Sequence, residues 1–182
     1  MGKTLIITEK PSVAKDIAKV LGKFINKKEY LENEKYYVTW AIGHLITLAE
    51  PEDYDKKLKV WRLTLLPVIP DQFILKPISK TEKRIKIIKE LIESDKVEEI
   101  INGCDAGREG ELIFRYIYEY IGTNRPFKRL WLSSMTTAAI RQSFENLIPG
   151  EKMQLLAEAA KCRSESDWLV GINGTRAYTV KY

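Results

Sequence analysis

The chain has 182 residues, 30% of them charged and 45% hydrophobic, which is typical of a globular protein with room for one well-packed core. No apolar stretch approaches the roughly 20 residues that a membrane-spanning helix needs. The two cysteines lack the spacing of metal ligands. Because the chain has no signal-peptide pattern, we expect a protein of the reducing cytoplasm. The net charge of +5 lies mostly in residues 123–182, which hold nine basic and five acidic side chains; this is consistent with phosphate contacts, although a slightly cationic face is the simpler explanation.

The first predicted unit is a strand followed by a helix. Residues 4–8 are apolar and β-branched, which predicts a strand. Pro11 is a favoured first residue of a helix, and helical spacing continues over 12–21. Glu9 and Lys10 therefore fall at the carboxyl end of a strand, just before a helix. Glu9 alone does not establish a site, because a carboxylate at that position can simply be stabilised by the dipole of the helix that follows.

The middle of the chain has a different pattern. Residues 30–32 and 36–40 flank a polar turn at 33–35, which predicts a β-hairpin inserted into the fold. A further strand is predicted over 72–77. Residues 81–94 carry isoleucines and leucines at helical spacing among lysines, which predicts an amphipathic crossover helix.

The most informative segment is a second turn between a strand and a helix. The apolar run over 97–101 predicts a buried strand over 97–102, and residues 110–121 have helical spacing. Three carboxylates and an arginine lie in or next to this turn: Asp105, Arg108, Glu109 and Glu111. Such turns lie at the carboxyl edge of a parallel sheet, where ligands bind. Acidic side chains and glycines there suit a hard cation and a phosphate, and Glu9 converges on them if both strands share one sheet.

The last third of the chain begins with another strand and helix, predicted over 127–132 and 136–147. Strands that alternate with helices predict an α/β fold with a mostly parallel sheet. Residues 151–179 then have long helical character, which Gly171 and Gly174 are expected to interrupt.

Five motifs in this order resemble the type IA DNA topoisomerases, most closely the bacterial topoisomerase III group. They are Glu9-Lys10-Pro11-Ser12, the Gly43-His44 turn within 38–45, residues 66–70, Asp105-x-x-Arg108-Glu109-Gly110-Glu111, and residues 167–177. The resemblance covers essentially the whole chain. It implies a Rossmann-like Toprim domain over 1–149, with a mostly parallel sheet flanked by helices and a β-hairpin insertion. A helical extension over 150–182 would be the first, incomplete part of a domain that binds single-stranded DNA.

The resemblance also implies roles for individual residues. Glu9 would act in acid–base transfer at the scissile phosphate and lie at the metal, and Lys10 would stabilise the charge of the phosphate. Asp105 would be the chief ligand of a Mg²⁺ cofactor, with Glu109 as a further ligand, direct or through water. Gly107 stands where the family usually has a second aspartate, which favours one metal ion over two.

Three other residues near these motifs have more than one interpretation. His44 is the only histidine, and a role in the site and a role in a structural turn are about equally supported. Arg108 is expected to contact the phosphate or to pair with an acid. Glu111 is expected to line the site, although acids in this segment could also cap a helix.

Contacts with single-stranded DNA are expected from two tryptophans and two arginines: Trp61, Arg163, Trp168 and Arg176. Tryptophans are core residues by default, but base stacking is the functional interpretation that the resemblance favours. Trp168 and Arg176 are eight residues apart, about two helical turns, so they would share one face of an unbroken helix. Arg176 is then the better candidate for a phosphate contact.

The activity implied for the complete protein is cleavage, passage and religation of one DNA strand through a phosphotyrosine bond, without ATP or another nucleotide cofactor. The tyrosine nucleophile of the family lies in a later domain, so this chain alone should be inactive and should act with the remaining topoisomerase domains, away from membranes. One alternative is a stand-alone Toprim nuclease or primase-like enzyme, and another is a non-catalytic single-strand-binding module. A dinucleotide-binding enzyme is disfavoured by the spacing of the glycines.

Overall fold

Strands and helices alternate around a central sheet in the computed structural model, which describes residues 2–182. The strands are β1 (Lys3–Thr8), β2 (Ile25–Asn26), β3 (Leu31–Glu32), β4 (Tyr36–Trp40), β5 (Ile46–Leu48), β6 (Leu75–Pro77), β7 (Val97–Gly103), β8 (Phe127–Arg129) and β9 (Ile148–Pro149). The helices are α1 (Pro11–Leu21), α2 (Pro51–Tyr54), α3 (Glu82–Glu93), α4 (Arg108–Ile121), α5 (Thr137–Glu145) and α6 (Gln154–Lys181).

The central sheet has seven strands in the order β2-β3-β4-β1-β7-β8-β9. Four consecutive strands, β4, β1, β7 and β8, are parallel to one another, and the strands beyond them on either side pair in the antiparallel direction. The predicted α/β architecture with a mostly parallel sheet is therefore confirmed. Because β1 and β7 are adjacent, the two turns that follow them lie side by side at the carboxyl edge.

The predicted hairpin exists but is not an insertion. Strands β3 and β4 pair in the antiparallel direction, as expected. Strand β4 also pairs in parallel with β1, with Leu5 opposite Tyr37, so it belongs to the centre of the main sheet. The physical reason is that Tyr37 to Trp40 are all buried, and a strand buried on both faces needs neighbours and a covering layer on each side. The separate piece is instead the two-stranded sheet of β5 and β6.

Alternate residues of the central strands pack into two different hydrophobic cores, one on each face of the sheet. Leu5 and Ile7 of β1 pack in a cluster with residues of α3 and α4. Ile6, between them, packs on the other face in a cluster with Ala14 and Ile17 of α1. This is the period of two that a strand imposes on its side chains. The sheet is thus covered on both faces, which fixes the places of α1 and α4 relative to its carboxyl edge.

Helix α6 is one continuous helix of 28 residues, so the expected break at Gly171 or Gly174 is wrong. Each glycine costs about 1 kcal/mol relative to alanine in a helix interior, which the packing of the helix can offset. That packing includes Ala157 and Ala160, which are buried, and Ala160 belongs to the same core as α4. Within residues 2–182, no helix combines the length and the apolar character that crossing a bilayer requires.

Candidate active site at the carboxyl edge of the sheet

Two carboxylates and one ammonium group meet where β1 and β7 end. Thr8 is in register with Gly103, so Glu9 and Asp105 follow the two strands at nearly the same level. The Lys10 Nζ lies 2.7 Å from Asp105 Oδ2 and 3.6 Å from Glu9 Oε1. The hydrogen bond to Asp105 and the nearby charge of Glu9 raise the pKa of the Lys10 ammonium. The expected convergence of these segments therefore takes the form of one cation held by two acids.

A strained turn holds the backbone of Glu9 in place. The Glu9 carbonyl accepts hydrogen bonds from the N–H groups of Ile42, at 2.9 Å, and Gly43, at 3.4 Å. Ile42 has φ of 70°, a left-handed conformation that is rare for a β-branched residue. Such strain persists only where the surrounding structure enforces it, and it clusters at functional sites. The turn also places His44 at the same edge of the sheet.

His44 makes contact with Glu109 rather than with the pair of acids at Lys10. Its Nε2 lies 2.6 Å from Glu109 Oε1, and both side chains are exposed. Among residues 2–182, no group of three or more histidine, cysteine, aspartate or glutamate side chains is placed to hold a metal ion together. The three predicted ligands are thus divided: Glu9 and Asp105 share Lys10, and Glu109 pairs with His44.

A shallow cavity of about 210 Å³ lies beside this second pair. Arg108, exposed on the first turn of α4, lines it together with His44 and Arg163. Arg163 is exposed on α6 and lies 3.6 Å from Asp167 through its Nε. Glu109 and Asp167 line the same opening, so two carboxylates balance the charges of the two arginines there.

Gly107 lies on the outer side of the Asp105 turn, immediately before α4. Its φ is 146°, a backbone conformation that residues with a side chain rarely adopt. No other atom lies within 4 Å of the position that a Cβ would take. A second aspartate at this position would therefore be limited by backbone conformation and not by lack of space.

Arg129 fixes the turn that carries Asp105, and it was not among the site residues predicted from the sequence. Its side chain is fully buried. One guanidinium nitrogen donates to the carbonyls of Asn102, at 3.0 Å, and Cys104, at 2.7 Å, and the other donates to the carbonyl of Asp105 at 2.7 Å. The signal in the sequence was an arginine inside a predicted strand, beside apolar Leu130. Burial lowers the pKa of Arg129 and raises that of the Cys104 thiol, which remains protonated.

Glu111 does not line the site, so that expectation is wrong. It is fully buried, where it accepts hydrogen bonds from Asn102 Nδ2 and Arg115 Nε, both at 2.9 Å. Its Oε2 also lies 3.3 Å from Arg129 Nε. The reason is that two largely buried arginines need an internal counter-charge, which the inward face of α4 supplies. Glu111 acts on the site only through this network.

The residues expected to contact DNA on α6 are used largely in packing. Trp168 is half-buried, and its Nε1 donates to the Ala49 carbonyl at 3.0 Å. Its ring meets the rings of Tyr54 and Phe73 edge to face, with centroids 6.1 and 5.4 Å away. A tryptophan with its N–H satisfied and two aromatic neighbours has the environment of a core residue.

Arg176 is also placed differently from the expectation that it holds a phosphate. It is only 5% exposed, and it donates to the Leu58 carbonyl at 2.5 Å. The ring of Trp61, which is 44% exposed, lies over its guanidinium at 5.3 Å. The adjoining cavity of about 370 Å³ is lined by three acids: Glu50, Glu52 and Asp167. Acidic surroundings and burial both oppose a phosphate contact, so this prediction for Arg176 is corrected.

We expect Trp168→Ala to lower the free energy of unfolding by about 2 kcal/mol, because it removes a buried aromatic surface and a hydrogen bond. Urea unfolding measures the loss. Leu155→Ala is the control on the same helix, since Leu155 is 81% exposed and should change stability by less than about 0.5 kcal/mol. Fluorescence-anisotropy titration with single-stranded DNA should give the same affinity for the folded fraction of both variants. Lost affinity at unchanged stability would instead restore base stacking as the role of Trp168.

Comparisons with known proteins identify the family of the chain. A family model described as the Toprim domain matches residues 4–135. DNA topoisomerase 3 of Staphylococcus haemolyticus is 52% identical over 180 residues, covering 99% of this chain and 25% of that protein. DNA topoisomerase 3 of Staphylococcus aureus strain USA300 is 54% identical over 182 residues, with the same coverage. The resemblance to the bacterial topoisomerase III group is thereby confirmed, and the chain spans about a quarter of the length of these relatives.

A solved structure supports the same fold. Full-length topoisomerase I from Thermotoga maritima superimposes with a TM-score of 0.59 and 23% sequence identity. The match covers 91% of this chain and 24% of that one. The α/β sheet, the paired acidic turns at its carboxyl edge and the family match lead to one conclusion: the chain belongs to the Toprim family.

Proposed function

We propose that this chain is the metal- and phosphate-binding part of a type IA DNA topoisomerase of the topoisomerase III group. The complete protein would cleave one DNA strand, pass another through the gap and reseal it without ATP. The observation that carries the proposal is the Lys10 ammonium between Glu9 and Asp105, at the edge of the sheet where ligands of such folds bind. The relatives named topoisomerase 3 support the choice among Toprim activities.

The residues at this edge fit a Mg²⁺ ion. Toprim domains of topoisomerases generally bind metal ions, and Mg²⁺ is usually held by one or two carboxylates together with water and phosphate oxygens. Glu9 and Asp105 already share one positive group, which stands where a cation would be held. Glu109, engaged with His44, is proposed as a further ligand acting through water. When bound, Mg²⁺ would neutralise charge that develops on the phosphate.

The side chains of the site have distinct parts in this proposal. Glu9 is mostly enclosed, with 13% of its side chain exposed, and is proposed to take up and return a proton at the scissile phosphate. Lys10 is more exposed and is proposed to stabilise the phosphate charge. The exposed arginines Arg108 and Arg163, and the open face of Trp61, are the proposed contacts with single-stranded DNA. The tyrosine nucleophile is proposed to lie in the part of the longer relatives that this chain does not match.

The domain boundary is also part of the proposal. We place the Toprim domain over 1–149 and the beginning of a DNA-holding domain over 150–182. Helix α6 begins at Gln154, just after the edge strand β9, and the match to the Toprim model ends at residue 135. The amino-terminal half of α6 packs on α4, so the extension is anchored to the Toprim core where it begins.

Calorimetric titration with Mg²⁺ or Mn²⁺ should reveal one weak site that Asp105→Ala abolishes, because that substitution removes one of the two carboxylates. Asp71→Ala is the matched control, since Asp71 is an exposed acid in a loop, and its titration should equal that of the wild type. Equal binding of the metal by the Asp105→Ala protein and the wild type would rule out this site.

Single-stranded DNA incubated with the chain and Mn²⁺ should remain intact and should form no covalent adduct. Degradation of the DNA that Glu9→Gln abolishes would instead favour the nuclease alternative.

A further inference from the structure

We propose that Lys10 is an internal competitor of the metal ion: its ammonium occupies the cation position between Glu9 and Asp105 and must leave when a divalent cation binds. This inference rests on the proposed function, because it concerns the same acids. It adds a regulatory consequence: the two acids bind either the Lys10 ammonium or a divalent cation, but not both at once. The departing ammonium then becomes available to a phosphate.

The contacts show that Lys10 is held by these acids and not merely near them. Its Nζ makes a hydrogen bond of 2.7 Å to Asp105 Oδ2 and lies 3.6 Å from Glu9 Oε1. Among residues 2–182, no other lysine, arginine or histidine forms an ion pair with either carboxylate. Arg129 touches Asp105 only through the backbone carbonyl. Removing Lys10 would therefore leave both acids without a paired positive side chain.

The backbone of Lys10 is fixed, so the exchange involves the side chain alone. Its carbonyl accepts hydrogen bonds from Thr8 Oγ1, at 3.0 Å, and from the Ala14 N–H, at 3.2 Å. Pro11 follows it and begins α1. A flexible side chain on such an anchor can swing between two partners without moving the turn.

There is space next to the acids for the displaced ammonium. A cavity of about 420 Å³ borders Lys10 and Asp105 and extends to the hydroxyl-bearing residues Ser133 and Ser134. An ammonium that leaves the carboxylates can enter this cavity without crossing the protein interior. The same opening would admit the phosphate of a bound strand, which would stabilise the displaced position.

Calorimetric titration with Mn²⁺ tests the competition directly. Lys10→Met should bind Mn²⁺ about tenfold more tightly than the wild type, because a cation no longer has to displace a positive charge that lies 2.7 and 3.6 Å from the two carboxylates. Lys10→Arg retains a positive charge and should bind no more tightly than the wild type. Lys15→Met removes the same charge from the exposed side of α1 and should leave the affinity unchanged. Circular dichroism melting shows whether each variant is folded.

The two possible failures are distinguishable. If Lys10→Met binds Mn²⁺ no more tightly than the wild type, while Asp105→Ala still abolishes binding, the competition is overturned and the metal site is retained. If Asp105→Ala binds as well as the wild type, both the competition and the proposed metal site are overturned. Equal gains in Lys10→Met and Lys15→Met would show a general charge effect and would also overturn the competition.

Discussion

Arg129→Met should lower the free energy of unfolding by about 3–5 kcal/mol, because it removes one partner of a buried ion pair. Glu111 would keep Arg115 but lose its second cation, and the carbonyls of Cys104 and Asp105 would lose the Arg129 donor, whereas the Asn102 carbonyl would keep the Leu130 N–H at 2.9 Å. Each buried polar group left without a partner adds to the loss. Urea unfolding followed by circular dichroism measures the change.

The neighbouring residue in β8 supplies the control for Arg129. Lys128 pairs with Glu99 at 2.9 Å, but its side chain is 44% exposed. Lys128→Met should therefore change stability by less than about 1 kcal/mol, as exposed ion pairs usually do. Similar losses in the two variants would show that removing a positive charge from β8, and not the buried network, explains the effect.

The positions of the strands and helices around the site could be predicted from the sequence because they depend on local patterns. The strand before Glu9 and the strand before Asp105 have apolar runs that end in turn residues, and both helices have regular spacing. A general rule then brings the two turns together, since parallel strands end at the same edge of a sheet. The local patterns did not predict that β1 and β7 are neighbours in the sheet.

The misplacement of Glu111 has a different origin. Glu109 and Glu111 are two residues apart on α4, and successive helical residues are rotated by about 100°, so their side chains leave the helix on nearly opposite sides. One therefore faces His44 in solvent, and the other enters the core. Helical geometry alone could have predicted that the two acids face different sides of α4. The motif instead suggested that both belong to the site.

The burial of Arg176 could not be predicted because its partners are distant in sequence. The Leu58 carbonyl and the Trp61 ring come from a loop more than 100 residues earlier. Local spacing would place Trp168 and Arg176 on one face only of an unbroken helix, and it gave no information about which segment covers that face. A charged residue near the end of a helix is usually solvated, and only the tertiary contacts override that preference.

Gly110→Ala should lower the free energy of unfolding by at least about 3 kcal/mol, which is the upper part of the range for inserting a methyl group into a packed interior. A Cβ at Gly110 would lie 2.1 Å from the Asp105 carbonyl oxygen and 2.8 Å from the Asp105 nitrogen. These are backbone atoms, so no side-chain rotation can relieve the contact. The Asp105 carbonyl is also held by Arg129 at 2.7 Å, so moving the turn would break that hydrogen bond.

The same substitution should weaken Mn²⁺ binding in calorimetry, because the segment that must move carries the Asp105 carboxylate. Gly171→Ala is the matched control: no atom lies within 4 Å of its added Cβ, and its site is the interior of α6. It should raise stability by up to about 1 kcal/mol, the usual gain from glycine to alanine in a helix, and leave Mn²⁺ binding unchanged. If Gly110→Ala unfolds at the same urea concentration as the wild type, the close approach of α4 to the Asp105 turn does not exist in solution. If it is destabilised but binds Mn²⁺ normally, the turn can move without displacing the Asp105 carboxylate from the metal site.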